Sequence, residues 1–124
     1  MGTWLQRPPP DAPSALEVLR ARYTGQLPAQ LEDLAGPAHG TVDLPLHVVW
    51  SGLRSFGLER PRLRMSLYRT VLAEGLRQDV VTYLNRDLLL TQWPALRTLI
   101  SRPIRDVWEA RFPDLPARTK AAAA

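Results

Sequence analysis

Cysteine is absent from this 124-residue sequence, which excludes disulfide bonds and thiolate metal sites. Long apolar runs are also missing. Short stretches such as 88–90 are typical here, whereas a membrane span requires ~20 apolar residues. The N-terminal residues hold no apolar core of a secretory signal, so we expect a cytoplasmic protein. The chain also lacks a glycine-rich phosphate loop, a serine nucleophile elbow and a His-x-x-x-His pair. These absences make an enzyme the least favoured class.

Short apolar-periodic segments fill the chain from Asp43 to Phe112, and Pro or Gly opens or closes each of them. Their helical spacing predicts an all-α protein, a compact bundle of five to seven short helices. The length fits one domain with its own core. Prolines concentrated before residue 14 favour an extended arm. We therefore predict a flexible Pro-rich N-terminal arm at 1–13, a single helical domain at 14–113 and a disordered tail at 114–124.

The first two helices are predicted from capping residues and from the Pro and Gly residues that begin or end a helix. Ser14 and Glu17 form a capping-box pattern, which places a helix start at residue 14. Leucines at 27, 31 and 34 form the stripe of a two-turn helix that opens near Pro28. Gly36, followed by a proline, is predicted to end that helix in a left-handed conformation.

A further helix is predicted after a loop at 38–43 by apolar residues spaced i, i+3, i+4 and i+7: Leu46, Val49, Trp50 and Leu53. Pro61 then opens the strongest helix of the chain, which Gly75 ends. The predicted core draws on the apolar faces of these and later helices, and includes Leu67, Val71, Leu84, Leu88, Leu99, Trp108 and Phe112.

Positive charge is concentrated after residue 45, because residues 46–124 carry a net +6 and residues 1–45 a net −2. Arginines are densest within residues 54–69, where Glu59 is the only acid. Such a cluster neutralises phosphates or meets an acidic protein surface, and the alternative is a solvated helix face. We predict a partner-binding surface that comprises Arg54, Arg60, Arg62, Arg64 and Arg69.

The tryptophans divide into two groups. Trp50, Trp93 and Trp108 lie on apolar stripes and are predicted to be core anchors rather than base-stacking platforms. Trp4 precedes the proline run and belongs to no periodic segment. Because a partner pocket readily captures an exposed aromatic side chain, Trp4 joins the predicted partner-binding residues.

Catalytic and metal-binding chemistry have few candidates. His47 follows Asp43 by four residues, a spacing that allows a carboxylate–imidazole pair on one helix face. No third partner is evident, and a capping Asp beside a surface His is the simpler interpretation. The carboxylates at 74 and 79, and at 106 and 109, are better explained as helix-end charge or a solvated face. We predict no catalytic residues, no metal site and no cofactor.

A helix-turn-helix is also conceivable, with the helix from Pro61, Gly75 in the turn and residues 79–85 as the reading helix. That second helix is rich in Val, Tyr and Leu and has no Arg before Arg86, which is too apolar to face base edges. A pI near 10.3 nevertheless leaves a DNA-binding transcriptional regulator with an Arg-rich face as the alternative function.

Several motifs between residues 44 and 115 resemble one group of proteins: Leu-Pro-Leu-His-Val-Val-Trp-Ser-Gly at 44–52, Leu-Tyr-Arg-Thr-Val-Leu-Ala-Glu-Gly at 67–75, Tyr-Leu-Asn at 83–85, Trp-Pro at 93–94 and Trp-Glu-Ala-Arg-Phe-Pro at 108–113. The group consists of small, mostly uncharacterised actinobacterial helical proteins associated with nucleotidyltransferase-type toxins. The resemblance implies an antitoxin-like protein that binds and neutralises a toxin enzyme, with a role in repressing its operon. It assigns no functional residue. We therefore predict a non-catalytic protein-binding module, ahead of a DNA-binding regulator and of an enzyme that uses His47 and Asp43.

Overall fold

The computed structural model describes residues 14–49 and 52–123, so the predicted arm at 1–13, including Trp4, and Trp50 lie outside the described residues. The fold is mostly helical, which confirms the predicted all-α bundle of five to seven helices. The helices are α1 (Ala15–Gln26), α2 (Pro61–Glu74), α3 (Arg77–Tyr83), α4 (Arg86–Leu96), α5 (Arg102–Arg111) and α6 (Asp114–Ala123). A 3-10 helix at Leu31–Asp33 and the antiparallel strands β1 (Thr41–Asp43) and β2 (Ser55–Gly57) complete the fold. Within the described ranges, no helix has the length and apolar composition needed to cross a membrane.

Polar side chains begin α1 and α4. Ser14 Oγ accepts a hydrogen bond from the Glu17 amide at 3.1 Å, and Glu17 Oε2 accepts one from the Ser14 amide at 3.1 Å. This is the predicted capping box. Asn85 Oδ1 accepts from the Leu88 amide at 3.1 Å and caps α4 in the same way. Both caps satisfy amides that have no partner within their own helix.

One continuous core joins all the helices. Trp93 and Trp108 are fully buried in it, which confirms their prediction as core anchors. Of the other predicted core residues, Leu88 is half-buried against the core, and the buried ones are Leu67, Val71, Leu84 and Phe112. The prediction for Leu99 is wrong, because it lies in the turn after α4 and is 45% exposed.

Gln26 is a buried polar side chain that joins three helices. Its Nε2 lies within hydrogen-bond distance of the carbonyl oxygens of Val71, Leu72 and Gly75, at 3.1, 2.9 and 2.9 Å. Its Oε1 accepts from Trp108 Nε1 at 3.3 Å. The last carbonyls of a helix have no intrahelical partner, so this amide caps α2 from α1 while it also satisfies the indole of α5.

The predicted two-turn helix near Pro28 is wrong. Only the single 3-10 turn forms, and the chain then runs extended along the junction of α3 and α4. Ala35 N donates to Val81 O at 2.8 Å and Gly36 N donates to Leu84 O at 2.8 Å. Gly36 is not left-handed. Glycine is needed there because a Cβ would clash with the carbonyl carbon of Tyr83.

The predicted helix over residues 46–53 is also wrong, since the connection between β1 and β2 occupies this part of the chain. At 46–49 and 52–53, the described residues of this stretch, one turn forms, in which Val48 N and Val49 N donate to Pro45 O at 3.0 and 3.1 Å. Val42 pairs with Phe56 across the strands, and both are buried. Strand pairing thus competes with the helical period at 46–53 and prevails.

The predicted disordered tail at 114–124 is wrong for residues 114–123, which form α6. Leu115 is fully buried and anchors the helix, and α6 packs against α4 and α5. Pro116 does not interrupt α6 because it lies in the first turn, where a backbone N–H has no intrahelical acceptor.

Candidate protein-binding site

The arginines at 54–69 lie on different sides of α2 rather than on one face. Arg62 and Arg69 are seven residues apart, so they share one exposed side of the helix. Arg54 and Arg60 are exposed before β2 and before α2. Arg64 is different, because it is half-buried and its Nη1 donates to Leu58 O at 3.2 Å. Arg64 therefore holds the connection into α2, and the other four remain at the surface.

The four surface arginines carry charge that the described part of the chain does not compensate. Within residues 14–49 and 52–123, none of them forms an ion pair. Arg54 donates only to a backbone carbonyl, that of Leu44, at 3.2 Å. Positive charge on this side of the molecule is thus available to a partner.

A groove with a volume of about 400 Å³ runs beside α2. We call it the α2 groove, and its lining residues are Val48, Val49, Leu53, Phe56, Ser66, Thr70 and Glu74. The connection between the strands supplies an apolar wall. The helix supplies Ser66, Thr70 and Glu74, which are spaced at i, i+4 and i+8 and so form one straight row. The groove therefore has one apolar wall and one polar wall.

Three exposed leucines lie on the connecting segment and after α2, and one of them, Leu53, lines the groove. Leu46 and Leu53, at the two ends of the connecting segment, are 59% and 55% exposed, and Leu76, after α2, is 67% exposed. The segment itself is anchored, because Leu44, Val48 and Val49 are buried. Large apolar side chains held in solvent on an anchored segment are typical of an interaction surface.

His47 fixes this segment to α3. Its Nε2 lies 2.9 Å from both carboxylate oxygens of Asp79, and the histidine side chain is 54% exposed while the aspartate is 8% exposed. Asp79 Oδ2 also accepts from the Leu76 amide at 2.8 Å, so the same carboxylate caps α3. One buried carboxylate thus orders both the helix start and the loop that carries Leu46.

The alternative pairing of His47 with Asp43 does not form, and Asp43 lies at the end of β1 rather than at a helix start. Asp43 accepts a hydrogen bond from the Ser55 hydroxyl across the strands, and Asp79 takes its place beside His47. The sequence marks Asp79 only as a helix start, since the contact spans 32 positions and depends on the hairpin. No local pattern at 43–47 could have indicated this pairing.

The His47–Asp79 pair borders a cavity of about 450 Å³, whose lining residues are Pro45, His47, Leu76, Gln78, Asp79, Thr82 and Tyr83. Nucleophilic catalysis by such a pair needs a hydroxyl or thiol hydrogen-bonded to the imidazole. Among the described residues, the imidazole hydrogen-bonds to Asp79 and to no hydroxyl. The described ranges also hold no group of three or more His, Asp or Glu side chains placed to hold a metal ion. The pair positions a loop, and the geometry gives no acyl-transfer or metal centre in this part of the chain.

Comparison with known proteins adds no relative: no protein-family model matches the chain, and no curated protein or solved structure matches it either.

Proposed function

We propose that this chain is a non-catalytic, antitoxin-like protein-binding module that binds and neutralises a partner toxin enzyme in the cytoplasm. One observation carries the proposal: exposed Leu53 lines the α2 groove and exposed Leu46 lies on the same connecting segment, while Arg62 and Arg69 on α2 have no acidic partner among the described residues. The resemblance of the motifs between residues 44 and 115 to small actinobacterial proteins associated with nucleotidyltransferase-type toxins supports a toxin enzyme as the partner.

The arrangement matches the anatomy of a protein interface. Apolar side chains that bury at the centre supply most of the binding energy, and charged residues at the rim steer the encounter. Here Leu53 and the α2 groove supply the centre, and Arg62, one helical turn before Ser66, supplies the rim. The hydrogen bond from His47 to Asp79 holds the part of the connecting segment that carries Leu46, which reduces the entropy that this part loses on binding.

Co-purification from the organism that encodes the chain tests this proposal. The tagged full-length chain should retain one stoichiometric protein partner, and adding the purified chain should inhibit the enzymatic activity of that partner. The double variant Leu46→Asp/Leu53→Asp should lose the partner. Leu99→Asp is the matched control, since it also charges an exposed leucine but lies away from the groove. No stoichiometric partner, or equal loss in the control, would overturn the proposal.

A DNA-binding regulator is the second candidate, and one observation favours it. The helix after the Gly75–Leu76 turn begins at Arg77 rather than at 79, so Arg77, Gln78 and Thr82 are exposed on α3. Arg and Gln are side chains that read base edges. A DNA-binding titration at two salt concentrations tests this candidate, because phosphate contacts make the affinity depend steeply on salt. Absence of binding at low salt removes this candidate.

A further inference from the structure

We infer that the end of α2 carries a binding surface for the phosphate backbone of double-stranded DNA, formed by Arg22, Arg69 and Arg77. We call these three side chains the arginine row. The inference goes beyond the proposed protein-binding function, because the row does not line the α2 groove, and it requires no reading of base edges by α3. It follows from the way in which α1, α2 and α3 meet, and from the polar groups that already have partners there.

Three helices bring the arginine row together. Arg22 belongs to α1, and its Nη2 donates to Ala73 O near the end of α2 at 3.3 Å. Arg69 lies one helical turn before Ala73 on the same side of α2. Arg77 is the first residue of α3, and together with Arg22 it lines a cavity of about 330 Å³. Contacts between elements that are distant in sequence therefore place three cations around one helix end.

The positive charge of the row is not compensated within residues 14–49 and 52–123. All three arginines are exposed, and none of them forms an ion pair in these ranges. The two acids nearest to the end of α2 in sequence do not change this. Glu74 lines the α2 groove, and Asp79 is buried, where it contacts His47 and accepts the Leu76 amide. The row therefore presents positive charge to an anionic partner.

The end of α2 does not repel a phosphate. The last carbonyl oxygens of a helix carry partial negative charge, which disfavours an anion. Here the Gln26 amide and the Arg22 guanidinium cover four carbonyl oxygens at this end, those of Val71, Leu72, Ala73 and Gly75. A guanidinium has five N–H donors, so Arg22 still has donors for a phosphate after its contact with the backbone.

The chemistry of the row fits a phosphate backbone better than a protein partner. The centre of a protein interface is apolar, and the row does not supply such a centre. Leu76 is exposed at the cavity that Arg22 and Arg77 share, and the remaining lining residues are small, polar or buried: Ala21, Tyr23, Gly25, Gln26 and Gly75. A guanidinium forms paired hydrogen bonds with phosphate oxygens. Duplex DNA carries one phosphate per about 1.7 Å of its axis, so adjacent arginines meet phosphates at any sequence.

A fluorescein-labelled DNA duplex of about 20 base pairs tests this inference by fluorescence anisotropy with the full chain. Titrations at several salt concentrations between about 50 and 200 mM give the slope of the logarithm of the binding constant against the logarithm of the salt concentration. We expect a slope of about −3, because each of three arginine–phosphate contacts contributes about −0.9. A duplex of unrelated sequence should bind with the same affinity, since phosphate contacts carry no sequence information.

Paired variants show whether these arginines make the contacts. Arg22→Ala/Arg77→Ala should make the slope shallower by about two, and Arg22→Lys/Arg77→Lys should restore it, because an ammonium also neutralises a phosphate. Arg102→Ala/Arg118→Ala is the control. It removes the same charge from exposed positions on α5 and α6, and it should leave the slope unchanged.

The inference is overturned if the duplex does not bind at about 50 mM salt, or if the two Ala variants change the slope equally. It is also overturned if polyglutamate competes as well as unlabelled duplex at equal charge concentration, which would assign the row to an acidic polypeptide. These outcomes are separate from failure of the proposed function, which is measured by retention of a protein partner through Leu46 and Leu53. A chain that retains its partner and does not bind the duplex would keep the protein-binding module and lose the DNA surface.

Discussion

The imidazole of His47 and the carboxylate of Asp79 meet at 2.9 Å across 32 positions of the chain. Asp79 is almost completely buried, and it also accepts the Leu76 amide at the start of α3. Through this carboxylate, the loop that exposes Leu46 and the helix that follows α2 share one anchor. The placement of the loop that carries Leu46 therefore depends on a buried residue of α3.

Removal of this anchor should reduce stability. We expect Asp79→Ala to lower the free energy of unfolding by about 1–3 kcal/mol, because it removes a helix cap and the buried partner of His47. His47→Ala should cost less, since its side chain is half exposed. Urea denaturation measures both changes. Asp87→Ala is the control, because it removes an exposed carboxylate and should change the free energy of unfolding by no more than about 0.5 kcal/mol. An effect of Asp79→Ala as small as this would contradict the anchoring role.

Gln26 should be among the least replaceable polar residues. We expect Gln26→Leu to lower the free energy of unfolding by about 2–3 kcal/mol, because it removes the Gln26 hydrogen bonds to the carbonyl oxygens of Leu72 and Gly75 and to the Trp108 indole. Gln26→Glu should be worse at neutral pH, since a buried carboxylate would face carbonyl oxygens. Thermal unfolding measures both, with the exposed Gln78→Leu as control. Equal stability of the Gln26 and Gln78 variants would refute the bridging role.

The contacts of Glu109 should make the free energy of unfolding depend on pH in the acid range. Burial raises the pKa of Glu109, but hydrogen bonds from Arg97 and Trp93, with the charges of Arg97 and Arg105, more than offset it and hold the pKa below 4.5. The folded state thus favours the carboxylate. Its stabilisation is complete above the ordinary pKa and is lost as the pH falls through the lowered folded value.

We therefore expect Glu109→Gln to lower the free energy of unfolding by about 1–2 kcal/mol at pH 7, since charge-assisted hydrogen bonds are lost. The difference from the native protein should shrink as the pH falls through the lowered pKa of Glu109, where the native carboxyl also becomes neutral. Urea denaturation at several pH values measures it. A difference that grows toward acid pH would show that the sign is wrong.

Leu115 tests the structural status of the C-terminal segment. Because α6 packs against α4 and α5, Leu115→Ala should lower the free energy of unfolding by about 2–4 kcal/mol, since it removes a fully buried leucine. A chain that ends at residue 113 should be destabilised at least as much, since it exposes the surface of α4 under α6. Denaturant titration measures both. Stability equal to that of the full chain would support the disordered tail instead.

Local signals in the sequence were sufficient for most helices. The capping box at Ser14, the proline at 61 and the Asn85 cap each act through residues within one helical turn, so the pattern alone predicts the helix start. The stripes that carry Trp93 and Trp108 predict burial for the same reason. Where local and tertiary preferences agree, sequence reasoning is reliable.

Tertiary contacts determine the segments and pairings that local patterns do not predict. Residues 46–53 have a helical period, but pairing of Val42 with Phe56 leaves them in the connection between strands. Gly36 is explained by its approach to Tyr83, which no pattern near residue 36 reveals. The site followed the same division: the exposed arginines of α2 could be predicted from composition, whereas the Asp79 partner of His47 depends on a contact across 32 positions.

The most direct test of the account is carbene footprinting of the full chain, free and in complex with its co-purified partner. We predict that labelling of Leu46 and Leu53 falls severalfold in the complex, while the exposed Leu99 remains labelled as in the free protein. Unchanged labelling of Leu46 and Leu53, with protection at Leu99 or on α6 instead, would place the interface elsewhere and contradict the assignment of the α2 groove.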